Sequence, residues 1–339
     1  MKILAPISSA DEVEMLAANG AEEFYCGVVP REWTESYSGA IWLNRRSPAG
    51  ANLATYESLA ELVRGAHSYG VPVSLALNAP CYNERQIQTI AELARRVTGE
   101  IGVDALIVSD VGLLLTLAEL GLDTRIHISS IASALNSETI EFYRELGASR
   151  IILPRSLSLR EIGQLAVAVG DRIELEAFIL NDGCAFEEGL CHTTHHHRVG
   201  AFCGNIRQWS HDVYQDDGRL PGVDEQDVVA AHVQSYREWL WYVNGCGSPV
   251  SPEGLPYGPC GLCAIPELSR MGIASLKIAG REASPFRKLT SVRLVKAIVD
   301  MVRSGATPEE AAVRARRIQN TPRLCDAGYM CYYRDGRGA

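Results

Sequence analysis

GASRIILPRSLSLREI, residues 147–162, decides how the chain is read. Gly147 suits the left-handed position that closes a helix. RIILPR is a short apolar run of the kind buried on both faces of a parallel sheet. Ser158 followed by Glu161 is a capping-box pair, so a new helix begins there. Helix end, strand and helix start follow one another within sixteen residues.

The same beat repeats outward in both directions. Gly20 precedes EEFYCG, Gly70 precedes PVSLALN, Gly102 precedes ALIVSD and Gly121 precedes RIHISS. Gly170 precedes RIELEAF and Gly272 precedes ASLKIAG, and ILAP at residues 3–6 supplies one more run. Ser9 with Glu12 and Thr307 with Glu310 read as further capping boxes, the latter with Pro308 at the first helical position. Eight strands alternating with helices predict a (β/α)8 TIM-like barrel over residues 1–285, followed by C-terminal helices and a tail over 286–339. A doubly wound open sheet is the other fold that the alternation permits.

Barrel chemistry collects at the C-terminal ends of strands. That edge presents Cys26, Asn78, Asp110, Ser129, Ser130, Arg155 and the run from Lys277 to Arg281. Lys277 and Arg281, with Arg155, are candidates to bind a carboxylate or phosphate. Asn78 and Asp110 are candidates to orient a substrate hydroxyl. The connection between strands seven and eight, residues 181–271, is too long for a simple loop. It holds Cys184, Cys191, Cys203, Cys246, Cys260 and Cys263. It reads as a cysteine-rich, cluster-binding insertion over the barrel mouth.

Ten cysteines in 339 residues, with no basic n-region or apolar h-region at the N-terminus, point to metal or catalytic thiols rather than disulfides. A cytoplasmic protein with no membrane span is expected. Cys184, Cys191 and Cys203, closed by Cys260 or Cys263, suit an iron–sulfur cluster. Zinc also accepts thiolate and imidazole, and Cys260/Cys263 has its C-x2-C spacing; spacing leaves both metals open. The consecutive His195, His196 and His197 cannot all reach one ion and read as a solvated or substrate-facing loop. Cys325 and Cys331 in the tail are either packed or a second site. No G-x-S-x-G elbow, H-E-x-x-H pair, Walker loop or G-x-G-x-x-G fingerprint occurs.

Formal net charge is -9, unevenly distributed. From Ala264 onward there are 14 Lys and Arg against 7 Asp and Glu, which leaves 18 against 34 in the first 263 residues. An acidic body argues against nucleic acid as a partner and in favour of a small molecule.

The residues resemble the U32 "peptidase", or collagenase-like, family. Its landmarks are Glu-x-Phe before Cys-x4-Gly-x-Cys, here Glu176, Phe178, Cys184, Gly189 and Cys191, and then a cysteine, Pro-Glu-Leu and a Ser-Leu-Lys-Ile-x-Gly-Arg run. The second landmark reads CGLCAIPELSRMGIASLKIAGR and ends in Lys277 and Arg281. The likeness spans roughly residues 3–285. The chain departs from the pattern at Asn181 and Asp182, at Ser156, at Ala279, and after Cys203, where Gly-Asn-Ile206-Arg207 keeps the arginine of a C-x3-C-R element but lacks its second cysteine.

The resemblance implies a barrel carrying a [4Fe-4S] cluster on Cys184, Cys191, Cys203 and Cys260, with Cys263 the rival for the fourth place. It implies O2-independent hydroxylation of an aromatic ring, with a prephenate-like oxygen donor in some members. A small aromatic substrate is therefore the leading expectation. A hydrolase, as the family's older name suggests, or a cluster-carrying subunit of a homo- or heterodimer, is the alternative.

Overall fold

The computed structural model describes residues 1–37, 43–46, 48–181, 183–184, 187–191, 195–196, 200–201, 213–243, 251, 255 and 258–335. Eight parallel strands close into a barrel: β1 Lys2–Pro6, β2 Glu23–Cys26, β3 Val73–Leu77, β4 Ala105–Val108, β5 Arg125–Ile128, β6 Arg150–Ile152, β7 Glu174–Leu180 and β8 Ser275–Ile278. Their order is sequential, and β8 returns to β1 through Lys2–Ser275, Ile3–Leu276 and Leu4–Lys277. The barrel is thus a (β/α)8 fold, and the open sheet is excluded by that closure.

A helix follows each strand: α1 Val13–Ala18, α2 Tyr56–Ser68, α3 Glu84–Arg96, α4 Val111–Glu119, α5 Ser137–Glu145, α6 Leu159–Val169, α7 Ile265–Arg270 and α8 Pro285–Arg303. Beyond them lie α9 Pro308–Gln319 and α10 Pro322–Ala327. The β7–β8 connection also holds a short ribbon, His195–His196 paired with Gly200–Ala201, and the long helix Val223–Val243. Gly147 and Gly272 take φ of 92° and 77°, so the chain turns from helix into strand where a side chain would be strained.

The Ser158/Glu161 and Thr307/Glu310 capping boxes form as the spacing predicts. The Ser9/Glu12 pair does not. Ser9 caps Asp11 instead, and Glu12 turns inward to Lys288 of α8, with both carboxylate oxygens 2.9 Å from the ammonium. A buried lysine 276 residues away outcompetes the local cap, because a lone buried charge costs more than one helix-end bond.

Period-two alternation divides each strand's side chains between the inside of the barrel and the surrounding helices. Ile3, Phe24, Cys26, Val73, Leu75, Leu106 and Leu276 belong to the outer apolar layer. Inside, Leu4, Tyr25, Ile107, Ile152 and Phe178 pack as a separate cluster. Below that plug the interior is charged. Arg150, only 2% exposed, donates to both carboxylate oxygens of Glu23 (2.8 and 2.9 Å), to Glu174 (2.8 Å) and to Glu176 (3.2 Å).

Candidate functional site at the barrel mouth

The β7 sequence Glu176-Ala177-Phe178 sends Glu176 and Phe178 inward and Ala177 outward. Glu176 accepts from Arg150 below and from Lys277 Nζ above, the latter at 2.8 Å. The sequence marked this Glu-x-Phe only as a landmark; its work is to carry charge from the barrel floor to its mouth. Phe178 lies one step higher and faces a cavity of about 90 Å³ at the C-terminal ends of the strands. Tyr25, Asn78, Ser129, Arg155, Lys277 and Arg281 all line it, as do Arg45, Arg46, Cys184 and Glu188.

Each cation is held differently. Lys277 sits 4.3 Å above the Tyr25 ring and is paired with Glu176; burial draws its pKa below the ordinary lysine value, against the pull of that carboxylate. Arg155 stacks on Phe178, 3.8 Å from the ring centre, and pairs with Glu188 from the segment between Cys184 and Cys191. Arg281 is 6% exposed, and its guanidinium donates to Asn44 (3.0 Å) and Asn52 (3.2 Å), both neutral amides. Burial lowers its pKa, yet a guanidinium stays charged. A buried cation positioned by amides has its charge left to offer to an anion.

Sequence reasoning missed the residues that fit Arg281 into place. Asn44 and Asn52 are also bonded to each other at 2.7 Å, so they present a joint cradle. Gly27, just after β2, makes the room: a Cβ there would lie 2.0 Å from Arg281 Nη1 and 2.1 Å from Asn52 Oδ1. The Gly27 of EEFYCG was the available signal.

Asp110 is not brought into the cavity. It caps α4 through the Leu113 amide at 2.7 Å and accepts from the Tyr82 amide at 3.1 Å, so its carboxylate serves the strand-to-helix turn. Asn78 is brought in: its amide donates to Ser129 at 2.9 Å, while its buried oxygen Oδ1 has no protein partner among the described residues. An acceptor so placed suits a substrate donor.

Cys184 lines the cavity, and Cys191 is half-buried with its carbonyl bound by Arg45 at 3.1 Å. Gly189 between them packs where a Cβ would stand 2.8 Å from the Ile131 carbonyl, which accounts for the glycine of Cys-x4-Gly-x-Cys. Cys203 and Cys246 lie outside the described residues, as does His197. The Cys260 backbone pairs with that of Leu180, at the end of β7, in an antiparallel β-bridge, and its thiol forms no disulfide. Cys184 and Cys191 form no disulfide and are of the soft donor type that a metal or an iron–sulfur cluster takes, although among the described residues no three His, Cys, Asp or Glu side chains converge on a metal position.

A sequence profile described as "Peptidase family U32" matches residues 8–338. Among curated relatives, "tRNA hydroxylation protein P1" of Bacillus subtilis (strain 168) is 26% identical over 88% of this chain and 63% of its own length. "tRNA hydroxylation protein P" of Escherichia coli (strain K12) is 26% identical over 90% of this chain and 69% of its own. "23S rRNA 5-hydroxycytidine C2501 synthase" of Escherichia coli (strain K12) is 32% identical over 47% of this chain and 23% of its own. The chain thus spans less than two thirds of the B. subtilis relative. A solved structure described as the U32 peptidase Mk0906 aligns with 16% identity and a TM-score of 0.44 over 56% of this chain and 75% of that one, too low to carry an argument.

These relatives overturn the expectation that nucleic acid is a poor partner. The physical error lay in using net charge. An acidic body does not set the field at a mouth where Arg45, Arg46, Arg155, Lys277 and Arg281 converge.

Proposed function

The chain belongs to peptidase family U32, and on that premise we propose that it is an O2-independent hydroxylase acting on a base of structured RNA. The observation that carries the reading is the cation-lined mouth with Cys184 in its wall, in a chain that aligns along most of its length with two tRNA hydroxylation proteins. A small aromatic metabolite leaves those relatives without a place.

Cys184, Cys191 and Cys203 would hold a [4Fe-4S] cluster. Cys260 would be the fourth ligand, as the resemblance implies, with Cys263 its rival. Electron transfer is the chemistry such a cluster supplies when bound. The remaining roles belong to the chain. Arg281, fixed by Asn44 and Asn52, would bind an anionic group of the oxygen donor or an RNA phosphate. Lys277 lies close enough to Phe178 and Tyr25 for a planar ring to settle among aromatic faces beside its charge. Asn78 Oδ1 would accept a hydrogen bond from an exocyclic amine or ring N–H. Arg155, by pairing with Glu188, ties the Cys184–Cys191 segment to the Phe178 wall.

Nucleoside mass spectrometry of RNA treated, without O2, with reconstituted protein and a prephenate-like carboxylate as the oxygen donor tests the reading. A nucleoside heavier by one oxygen should appear, and Cys184→Ala and Arg281→Gln should abolish it. Peptide cleavage by iron-free protein, with RNA unmodified by the reconstituted form, would return the hydrolase to first place.

A further inference from the structure

Among the residues that line the mouth, one is out of keeping with the others. Arg45, Arg46, Arg155, Lys277 and Arg281 are cations, and Glu188 is the only carboxylate among the described lining residues. It is 6% exposed. Its Oε1 accepts from the Arg155 backbone amide at 3.4 Å, and its Oε2 pairs with the Arg155 guanidinium. Withdrawing a carboxylate from water is costly, and the pairing with Arg155 offsets that cost.

The neighbouring acid is held differently. Glu187 accepts from the hydroxyls of Ser156 (2.7 Å) and Ser133 (3.4 Å) and from the Gly189 amide (3.2 Å), and it does not line the cavity. Neutral donors outside the mouth thus already seat the turn Glu188–Leu190 between Cys184 and Cys191. Holding that turn does not call for a second acid directed into a cation-lined cavity. Arg281 is treated in the reverse way: the neutral amides of Asn44 and Asn52 position it without cancelling its charge. The mouth therefore offers one arginine neutralised beside the Phe178 ring and another whose charge is available.

We propose that Glu188 is a specificity-determining residue of the mouth. Its carboxylate keeps anions off Arg155, so the anionic group of a ligand goes to Arg281 and the Phe178–Arg155 wall is left to an uncharged ring. A phosphate or carboxylate oxygen approaching Arg155 meets the Glu188 charge at close range, in a site where water screens it poorly. A planar neutral ring meets no such repulsion beside an arginine–aromatic stack. The mouth then selects a ligand with one anionic end and one flat uncharged end, and fixes which way round it lies. This orients the ligand of the site described above, but binding alone reports it, so its failure and the failure of hydroxylation are read separately.

Titration calorimetry at low ionic strength, with inorganic phosphate and with benzoate as probes of the two anion types, tests the assignment. Arg281→Gln should weaken binding by roughly tenfold. Adding Glu188→Gln to that protein should restore binding to within about threefold of the parent, because Arg155 then takes the anion. Glu187→Gln removes the same charge one residue away and should restore nothing. Glu188→Asp keeps the charge and should also restore nothing. Damage to the fold cannot mimic this result, since it does not return affinity to a site. If Glu188→Gln does not fold, Glu188→Ser serves in its place, because only the charge must go. Restoration with phosphate alone or benzoate alone would support the assignment and name the anion that Glu188 excludes. Binding left intact by Arg281→Gln, no restoration of either probe by Glu188→Gln, or equal restoration by Glu187→Gln would each overturn it.

Discussion

Gly27 and Gly189 show how differently two missing side chains act. At Gly27 the atoms a Cβ would strike are the ends of Arg281 and Asn52, which can swing aside. Gly27→Ala should therefore cost little stability, within about 1 kcal/mol. It should nonetheless lower activity by roughly 10²-fold, because Arg281 is displaced by an ångström-scale step. At Gly189 the obstacle includes the Ile131 backbone carbonyl, which cannot yield as a side chain can. Gly189→Ala should loosen the Cys184–Cys191 segment and lower iron retention, read as iron per chain after reconstitution. Both glycines lie in stretches the sequence singles out, but the reason for each is a neighbour distant in the chain, Arg281 for one and Ile131 for the other. Asp110 is the converse case. Its place after β4 made it a catalytic candidate, whereas its side chain caps α4, a local role that Asp at the start of a helix commonly has.

At the level of elements, β2, β6, β7 and β8 contribute Glu23, Arg150, Glu174, Glu176, Ser275 and Lys277 to one network, buried except at Glu174. Replacing Arg150 with Met would leave the nearly unexposed carboxylates of Glu23 and Glu176 without their main cation. Chemical denaturation should report a loss of about 3–5 kcal/mol. The network also sets an acid limit. Burial acts to raise the Glu23 pKa, but the hydrogen bond and charge of Arg150, with Ser275 and Lys2, bring it below 4.5. A carboxylate lowered on folding contributes stability that is complete above its unfolded value and is lost as pH falls through the folded one. Melting temperature should thus decline with acid below about pH 4.5, and Glu23→Gln, though less stable at neutral pH, should show a flatter decline. The periodicity of β7 and β8 made these strands legible. It gave no sign that Glu176 and Lys277 pair, because alternation says which face a residue takes and not which strand lies opposite.

Over the whole molecule, charge is arranged against its own average. The chain is net negative, yet the cavity mouth gathers arginines and a lysine from three separate regions of sequence. RNA affinity should therefore fall with salt, and Arg45→Gln combined with Arg46→Gln should flatten the log–log salt slope by roughly 1 to 2, as measured by filter binding. No helix among the described residues is long and apolar enough to cross a membrane. The tail belongs to the same large-scale design, since Tyr332 and Tyr333 return to the carbonyls of Asn181 and Phe178 at the end of β7.

The sequence by itself determined the eightfold alternation, the strand boundaries to within a few residues, and the barrel mouth as the place where Lys277, Arg281 and Arg155 gather. These follow from local rules: apolar period, helix caps and the direction in which parallel strands point. Only the tertiary structure decided that Asn44, Asn52 and Gly27 seat Arg281, that Glu176 links the barrel floor to Lys277, and that Cys260 stands beside Cys331. Each of those is a contact between residues far apart in the chain, whose partners are chosen by barrel closure and packing rather than by any pattern that neighbours in sequence can carry.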